Sequence, residues 1–307
     1  MSRSTVSIVR STSHYKGVKM ALDPIAPKVA QSLKGKRRVI VKPNFVSTSR
    51  QLAATHVDAV RAVLDFVAKN YSGRVTVAEG PSGSSLNSGL RNFDYLKLES
   101  EYGVEFVDLN EDDKVEVEVW DSNLNKMEIG VARTVIESDY RISVTPPKTH
   151  DCVILTLSIK NMVVGSLVGW HNKTRIHQGY KAMNPNIAKL AQLVLPHLSV
   201  IDGFEGMDGN GPVGGEPVDL RIAIAGLDAL AVDATASRIM GFDPLEVGYL
   251  YYLNSWGVGV ADSNGIEVLG VPIAEATRRF KPQSSYRAQL MWKLSEEELK
   301  RLKLSDF

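Results

Sequence analysis

The hydrophobic and polar positions in the first third of the chain follow two alternating periods. Short apolar runs predict four β-strands, at residues 5–9, 38–41, 74–78 and 104–107. Apolar side chains that recur every three or four positions predict three helices, at residues 16–33, 56–68 and 90–102. Strands that alternate with helices of this length predict a parallel sheet with helical crossovers.

A different pattern begins at residue 113. The valines of residues 115–119 alternate with two glutamates, which is the period of a half-exposed strand. Asn123 and Asn125 then favour a turn, after which the alternation returns. We interpret residues 113–130 as an antiparallel hairpin that is inserted between the helical units.

The second half of the chain is predicted to continue the scheme of strands and helices. Its predicted elements are a helix at 131–137, a strand at 140–144, a strand or helix at 152–164, a helix at 185–195, strands at 198–201 and 221–225, and helices at 227–240, 244–253 and 295–302. The predicted fold class is therefore α/β, with a mainly parallel sheet, helices on both faces and the inserted antiparallel hairpin. We predict a single domain over residues 1–307, with two lobes at about 1–145 and 146–307 as the alternative.

Composition narrows the class of protein. The chain has 307 residues, 44% of them hydrophobic, and a formal net charge of +1. Because it has no basic excess, we predict no nucleic-acid partner. No uncharged apolar run reaches ~18 residues, so we predict no contact with a membrane and a cytoplasmic location. The single cysteine, Cys152, excludes an intrachain disulfide and an iron–sulfur cluster held by the chain's own cysteines.

Four polar segments follow predicted strands, and in open α/β sheets ligands bind outside the carboxyl ends of the strands. In the first segment Lys42 and Asn44 follow a strand, and in the second Glu79 and Gly80 begin a loop of small residues. Backbone N–H groups of such a loop can converge on an anion. The alternatives are an ordinary turn at the first segment and a flexible loop at the second.

The third segment, residues 148–181, contains five Lys and Arg residues, one acid and three of the six histidines. Clustered lysines and histidines suit a small carboxylate or phosphate, and they suit general acid–base catalysis. The alternative is a solvated basic loop. The residues to which we assign catalytic roles are Lys148, His150, Lys160 and His177. The candidates for substrate binding in the first three segments and near them are Lys42, Asn44, His56, Glu79, Gly80, Asn161, His171 and Lys173.

The fourth segment, residues 202–219, contains five acids and no basic residue. Its Gly209 and Gly211 are further candidates for substrate binding and belong to a G-x-G-x-x-G pattern. Pro212 interrupts that pattern and a strand follows it, so we expect no NAD site. The residues that could hold a divalent cation, or orient the bases, are Asp202, Glu205 and Asp208. The alternative is a glycine-rich connection with exposed acids.

Two more acids fall in the predicted helix at 227–240. Asp228 lies at its start and is predicted to cap it. Asp233 lies among apolar residues, where an unpaired carboxylate is costly. It therefore either reaches a basic group of the third segment or lies on the exposed side of the helix.

The ordered set of these segments resembles the family called domain of unknown function 362. The motifs that carry the resemblance include Val41-Lys42-Pro43-Asn44, Thr55-His56, Glu79-Gly80, Pro147-Lys148-Thr149-His150, Ser158-Ile159-Lys160-Asn161, Ile201-Asp202-Gly203 and Met207-Asp208-Gly209-Asn210-Gly211-Pro212. The resemblance runs from residue 41 to residue 243 and implies a fold more than a reaction. Many members carry a ferredoxin-like cysteine cluster, which this chain does not have.

The run from Lys160 through Gly165 to His177 is also similar, over a short stretch, to the nickel-pincer lactate racemase group. That resemblance implies proton transfer by lysine and histidine rather than hydride or phosphoryl transfer. Our leading hypothesis is an isomerase- or racemase-like enzyme that uses acid–base chemistry on a small anionic substrate. The alternatives are a redox accessory that works with a separate iron–sulfur protein, and a non-catalytic protein that binds a small molecule.

Overall fold

The computed structural model describes residues 3–304, and a ten-stranded sheet lies at its centre. The strands are β1 (Ser4–Arg10), β2 (Val39–Lys42), β3 (Val75–Glu79), β4 (Glu105–Asp108), β5 (Lys114–Trp120), β6 (Lys126–Ala132), β7 (Tyr140–Thr145), β8 (Lys148–His150), β9 (Ile154–Thr156), β10 (Leu198–Asp208), β11 (Glu216–Gly226) and β12 (Ile266–Gly270). Eight of them lie side by side in the order β12-β1-β11-β10-β7-β2-β3-β4, and β8 and β9 attach beside β10.

Most neighbouring strands of the sheet are parallel. The run β10-β7-β2-β3-β4 is parallel throughout, and β1 is parallel to β12. Only β11 and the short β9 run antiparallel to their neighbours. The predicted α/β class with a mainly parallel sheet is therefore confirmed. In this arrangement the carboxyl ends of β2, β3 and β7 meet at one edge of the sheet.

Helices cover both faces of the sheet, as predicted. They are α1 (His14–Leu22), α2 (Ala26–Leu33), α3 (Val57–Ala68), α4 (Leu86–Asn92), α5 (Lys97–Tyr102), α6 (Arg133–Ile136), α7 (Ser158–Gly165), α8 (Gly169–Arg175), α9 (Gly179–Val194), α10 (Ala229–Met240), α11 (Gly248–Ser255), α12 (Ile273–Ala276), α13 (Tyr286–Gln289) and α14 (Glu296–Arg301). Alternate residues of each strand enter two separate cores. One core contains α1 to α5, and the other contains α7, α9, α10 and α11.

The inserted hairpin is present as β5 and β6, which pair with each other, and Val131 of β6 also forms an isolated antiparallel bridge with Leu167. It packs on α9 through Asn186, whose side chain accepts the N–H of Trp120 at 2.9 Å and donates to its carbonyl at 2.7 Å. The hairpin thus belongs to the core on the α9 face. Among residues 3–304, no helix has both the length and the apolar character that crossing a membrane requires.

Several predicted elements have other bounds in the structure, and three of them differ for a clear physical reason. The helix predicted to begin at Pro185 begins six residues earlier, because a proline inside a helix removes only its own N–H bond and the surrounding helix is buried. The helix predicted over 90–102 is divided, since Asp94 adopts a positive φ of 60° between α4 and α5. Residues 202–208 of the predicted glycine-rich segment are the end of β10, and residues 216–219 begin β11, because antiparallel backbone pairing needs no apolar side chains.

Two predicted helix starts are confirmed. The Asp228 side chain accepts the N–H of Ala231 and caps α10. Ser295 and Glu298 form both bonds of a capping box at α14. Short polar motifs of this kind act within one turn of the chain, so the sequence alone is sufficient to predict them.

Candidate functional site

The carboxyl ends of β2 and β3 and the helix α7 enclose a cavity of about 30 Å³. We call it the lysine cavity. Six of the predicted site residues line this cavity: Asn44, Glu79, Gly80, Lys160, Asn161 and Lys173. All of these residues were predicted to bind the substrate or to act in catalysis. The parallel sheet brings Asn44, Glu79 and Gly80 together at the carboxyl ends of β2 and β3, whereas Lys160 and Asn161 come from α7 and Lys173 from α8.

A buried ion pair forms the base of the lysine cavity. Lys42 is fully buried and donates to a carboxylate oxygen of Glu79, to the Asn161 side chain at 3.1 Å and to the carbonyl of Pro43 at 3.1 Å. The second carboxylate oxygen of Glu79 accepts the N–H of Phe45 at 3.0 Å. Burial lowers the pKa of Lys42, and the Glu79 charge opposes this effect. The pair therefore locks the ends of two neighbouring strands together.

Lys148 lies in the same hydrogen-bonded network, but no carboxylate contacts it among the described residues. Its ammonium group donates to the side-chain oxygen of Asn44 and, at 2.8 Å, to the carbonyl of Ala53. Asn44 in turn donates to Asn161 at 2.9 Å. Burial lowers the pKa of Lys148 well below its ordinary value, and the nearby Lys160 charge lowers it further. The ammonium form of Lys148 is thus costly without an anion.

Lys160 stands apart from the other lysines. Its residue is only 6% exposed, yet within residues 3–304 its ammonium group has no hydrogen-bond partner. Burial lowers its pKa to about 8. Its nitrogen is not among the fully enclosed unpaired side-chain atoms of the described residues, so it is accessible from the cavity or from solvent. The ammonium group of Lys160 is therefore open to a further hydrogen bond.

The helix that carries Lys160 is held from behind by Asp233. Both oxygens of this fully buried carboxylate accept N–H groups at the start of α7, from Ser158 and Ile159 at 2.9 Å each. Asp233 thus reaches neither a basic group nor the surface, so both sequence-based alternatives were wrong. Burial raises its pKa to about 7 against these hydrogen bonds, which lower it.

Lys173 approaches the lysine cavity from α8. It is 3% exposed and donates to the side-chain oxygen of Asn110 and, at 2.7 Å, to the carbonyl of Leu167. Burial lowers its pKa to about 8. A β-carbon at Gly80 would lie 2.8 Å from its ammonium nitrogen, and one at Gly165 would lie 2.2 Å from that of Lys42. Both glycines therefore make room for lysine side chains.

Four buried lysines thus surround this cavity, and Glu79 is the only carboxylate hydrogen-bonded to any of them among the described residues. The alternative of a solvated basic loop for the third segment is wrong, because Lys148, Lys160 and Lys173 are all buried. An excess of buried positive charge is stable only if lysines lose protons or if an anion enters. The described carboxylates therefore balance this buried positive charge only in part.

A group of possible metal ligands lies beside Lys160. One ligand atom each of His150, Asp151 and Cys152 fits within 4.8 Å of the others, although these residues were not predicted to bind a metal. His150 Nδ1 accepts the N–H of Cys152 at 3.0 Å and lies 3.1 Å from a carboxylate oxygen of Asp151. The His177 ring lies nearly parallel to that of His150, with 6.4 Å between centroids. Burial raises the pKa of the Cys152 thiol to about 12.

The structure places the remaining predicted residues outside the lysine cavity. Asp202, Glu205 and His56 line a second cavity, whereas Asp208 accepts the N–H of Lys281 at 2.8 Å. His171 is exposed on α8. Gly209 and Gly211 pack against β8 instead: the Thr149 hydroxyl donates to the Gly209 carbonyl, and a β-carbon at Gly211 would lie 2.2 Å from the Thr149 carbonyl oxygen. The three acids predicted to share a cation therefore divide between two places.

The region that contains this edge of the sheet matches a known protein family. A model of the family described as Domain of unknown function (DUF362) matches residues 39–238. The chain belongs to this family. The matched region begins at β2 and ends in α10, so it contains all four lysines of the lysine cavity and the Asp233 that holds α7. The resemblance seen in the sequence is therefore confirmed.

Two individual proteins are similar to this DUF362 chain. A thylakoid-associated protein of Synechocystis sp. is 23% identical over 253 residues, which cover 79% of this chain and 76% of that protein. The solved lactate racemase apoprotein of Thermoanaerobacterium thermosaccharolyticum has a TM-score of 0.53 at 12% identity. This second match covers 78% of the chain but only 57% of the racemase. It shows a shared fold.

Sequence reasoning missed three residues that shape this edge of the DUF362 fold. Asn110 holds Lys173, Gly165 makes room for Lys42, and His14 bonds to Asp202. Gly165 was noticed only as part of the family resemblance. Asn110 follows the fourth predicted strand, so the rule about strand ends could have found it. No sequence signal connects His14 to an acid 188 residues later.

Proposed function

We propose that this protein binds a small anionic molecule, a carboxylate or a phosphate, in the lysine cavity. The observation that carries the proposal is Lys160, whose residue is only 6% exposed and whose ammonium group has no hydrogen-bond partner among residues 3–304. An anion at this point would accept charge-assisted hydrogen bonds from Lys160 and offset the excess of buried positive charge. The cavity of about 30 Å³ is small, so binding requires its side chains to move outward.

We further propose acid–base chemistry on that ligand, as in an isomerase or racemase. A lysine with a pKa of about 8 can both donate and accept a proton near neutral pH. His150 lies beside it and is held neutral, because burial and the Lys160 charge lower its pKa well below the usual value. The solved racemase with the same fold is named for lactate, which is a small carboxylate of the proposed class.

A divalent cation held by His150, Asp151 and Cys152 would fit the same proposal. Imidazole, thiolate and carboxylate together suit Zn²⁺ and similar metals better than Mg²⁺. Such a cation would supply a Lewis acid next to Lys160. The separate iron–sulfur partner and the cytoplasmic location stay predictions, whereas a cation shared by Asp202, Glu205 and Asp208 does not fit, because Asp208 lies apart from the other two acids.

The proposal is tested by ligand-induced stabilisation. Phosphate, acetate and lactate are titrated while the melting temperature is followed, since a ligand that binds only the folded state raises it. Lys160→Met should weaken the binding of the best anion by about 10- to 100-fold, the cost of one charged hydrogen bond. Lys181→Met, at an exposed ion pair in the same basic segment, is the matched control.

Two results would contradict the proposal. One is that no small anion stabilises the parent protein. The other is that Lys160→Met and Lys181→Met bind every anion alike, which would place the ligand elsewhere. We also expect affinity to fall as pH rises through about 8, because the Lys160 ammonium group then loses its proton.

A further inference from the structure

A second polar cavity of about 20 Å³ lies at the same edge of the sheet. We call it the histidine cavity. The side chains that matter here are His14, Gln51, His56, Asp202 and Glu205. The segment 51–56 separates it from the lysine cavity: the Ala53 carbonyl accepts Lys148 on one side, while Ala54 lines the histidine cavity on the other.

Two imidazole rings are stacked in this cavity. The planes of His14 and His56 differ by 2°, and their centroids are 4.0 Å apart. His14 is the first residue of α1, and His56 immediately precedes α3. The ring of Phe204 packs edge-on against His14 at 4.8 Å. The rings are 18% and 31% exposed, so both can exchange protons with water.

The hydrogen bonds give the two rings different roles. His56 Nδ1 accepts the N–H of Asp58 at 3.2 Å and caps α3, so His56 is neutral and carries its proton on Nε2. His14 Nδ1 lies 2.7 Å from a carboxylate oxygen of the buried Asp202 and donates to it. The Nε2 atom of His14 is therefore free to gain or lose a proton while its other nitrogen stays fixed.

We propose that His14 and His56 form a coupled proton-transfer site, in which the pair holds one exchangeable proton on His14 and His56 acts as a neutral donor. Three carboxylates surround the rings, those of Asp58, Asp202 and Glu205. The site therefore favours a neutral or cationic polar ligand, with a hydroxyl or an amine, over an anion. This inference goes beyond the proposed function, which concerns the lysine cavity and an anion.

The charges around the rings agree with these roles. Desolvation lowers the pKa of His14, but its hydrogen bond to Asp202 and the charges of Asp202, Glu205 and Asp58 raise it above the ordinary value. The pKa of His56 is lowered by desolvation and then by the His14 charge, with a smaller contribution from Arg61. Asp58 and Asp202 oppose that shift without reversing it. Environments that separate two pKa values in this way characterise acid–base pairs.

The proton balance is simple. The imidazolium of His14 gives its Nε2 proton to the lone pair of an unprotonated amine of the ligand, which becomes an ammonium group, and His14 becomes neutral imidazole, still bonded to Asp202 through Nδ1–H. A proton from water restores it. His56 cannot become charged at the same time, because two cations would then lie 4.0 Å apart and the cap of α3 would be lost.

Nitrogen NMR of the imidazoles, recorded across about pH 4 to 9, tests the pair. His14→Asn should raise the pKa of His56 by about one unit, a tenfold gain in proton affinity, because the neighbouring charge is gone. His56→Asn keeps a good helix cap and should leave the pKa of His14 almost unchanged. Asp202→Asn should lower the pKa of His14. If His14→Asn leaves His56 unchanged, the rings are independent and the proposal is wrong.

Ethanolamine, which carries an amine and a hydroxyl, tests the class of ligand. It should shift the His14 and His56 signals, whereas acetate should not, and Glu205→Gln should weaken the effect. No shift with ethanolamine, or an equal shift with acetate, would overturn the assignment of a neutral or cationic ligand. The Lys160→Met variant should titrate at His14 and His56 like the parent, so failure of anion binding and failure of this inference are separable.

Discussion

The lysine cavity and the histidine cavity lie on either side of one short segment, yet their charges are of opposite sign. Four lysines surround the first with one bonded carboxylate, and three carboxylates surround the second with two imidazoles. The formal net charge of the chain is only +1. Local burial, rather than the total charge, therefore decides what each cavity binds.

The two cavities also control protonation by different means. Lys42 and Lys148 are fully buried, so desolvation dominates their pKa values. The rings of His14 and His56 are partly exposed, and specific partners fix their proton positions. Substitutions in the lysine cavity should therefore change the free energy of unfolding strongly, whereas those in the histidine cavity should mainly change pKa values.

The largest effect is expected from Glu79→Gln. It leaves the Lys42 ammonium group buried without its counter-charge, which should lower the free energy of unfolding by about 3–5 kcal/mol. Urea denaturation measures this value. Glu118→Gln, at an exposed pair with Lys126, is the control and should change it by less than about 1 kcal/mol. Equal losses of unfolding free energy in the two variants would mean that the buried Lys42–Glu79 pair matters no more than an exposed ion pair.

A smaller effect of opposite sign is expected from Lys160→Met at neutral pH. The folded-state pKa of about 8 lies below the ordinary 10.5, so the folded protein prefers the neutral amine. Above pH 10.5 the Lys160 amine is neutral in the folded and the unfolded protein and costs no stability. The parent protein loses stability as pH falls from there through about 8, because the unfolded chain binds the proton more readily. Lys160→Met has no amine at this position and does not lose this stability. Its free energy of unfolding at neutral pH should therefore exceed that of the parent by up to about 3 kcal/mol.

The free energies of unfolding of the parent and of Lys160→Met, measured across this pH range, give the difference in stability. The advantage of Lys160→Met should shrink as pH rises from about 8 towards 10.5. An advantage that does not depend on pH would show that the lysine is not charged when buried. Lys181→Met again serves as the exposed control, and its difference from the parent should stay near zero.

Gly165→Ala tests whether a steric change in the lysine cavity leaves the histidine cavity unchanged. The new β-carbon would lie 2.2 Å from the Lys42 ammonium nitrogen, so the lysine or the helix must move, at a cost of about 1–3 kcal/mol. Anion binding should weaken as well, because Gly165 lines the lysine cavity. The His14 and His56 signals in NMR should stay as in the parent. A change in both cavities would contradict their separation.

The smallest effect on stability is expected from Glu205→Gln, which makes in the histidine cavity the same chemical change as Glu79→Gln makes in the lysine cavity. Glu205 is exposed, so the free energy of unfolding should change by no more than about 0.5 kcal/mol. The pKa of His14 should nevertheless fall slightly, since the Glu205 charge helps to raise it. A large loss of stability would show that the histidine cavity is a structural ion-pair network.

The lysine cavity could be predicted from the sequence because topology alone brings its residues together. Lys42 and Glu79 each end a strand, and in a parallel sheet such ends are neighbours. The partners of Asp202 could not be predicted in this way. They depend on how α1 packs beside α3, and nothing in the residues around His14 specifies that packing.

The metal-ligand group was also missed for a physical reason. His150, Asp151 and Cys152 are consecutive residues, and metal motifs are recognised by spacings that place ligands on one side of a helix or loop. Here a tight turn between β8 and β9 gathers three neighbours instead. Helix α9 shows the same limit, because the burial that permits Pro185 inside it comes from distant parts of the chain.

The segment 51–56 contacts both cavities, so it would couple them only if a ligand moved it. Lys148 holds one of its carbonyls, and its last residue, His56, carries a proton in the other cavity. If an anion draws Lys148 away and the segment relaxes, the proton affinity of the histidine pair changes by some factor. Reciprocity then requires that protonation of the pair change the anion affinity by the same factor. Measuring the anion dissociation constant across the titration of His14 would therefore give the same coupling energy as measuring the histidine titration with and without anion.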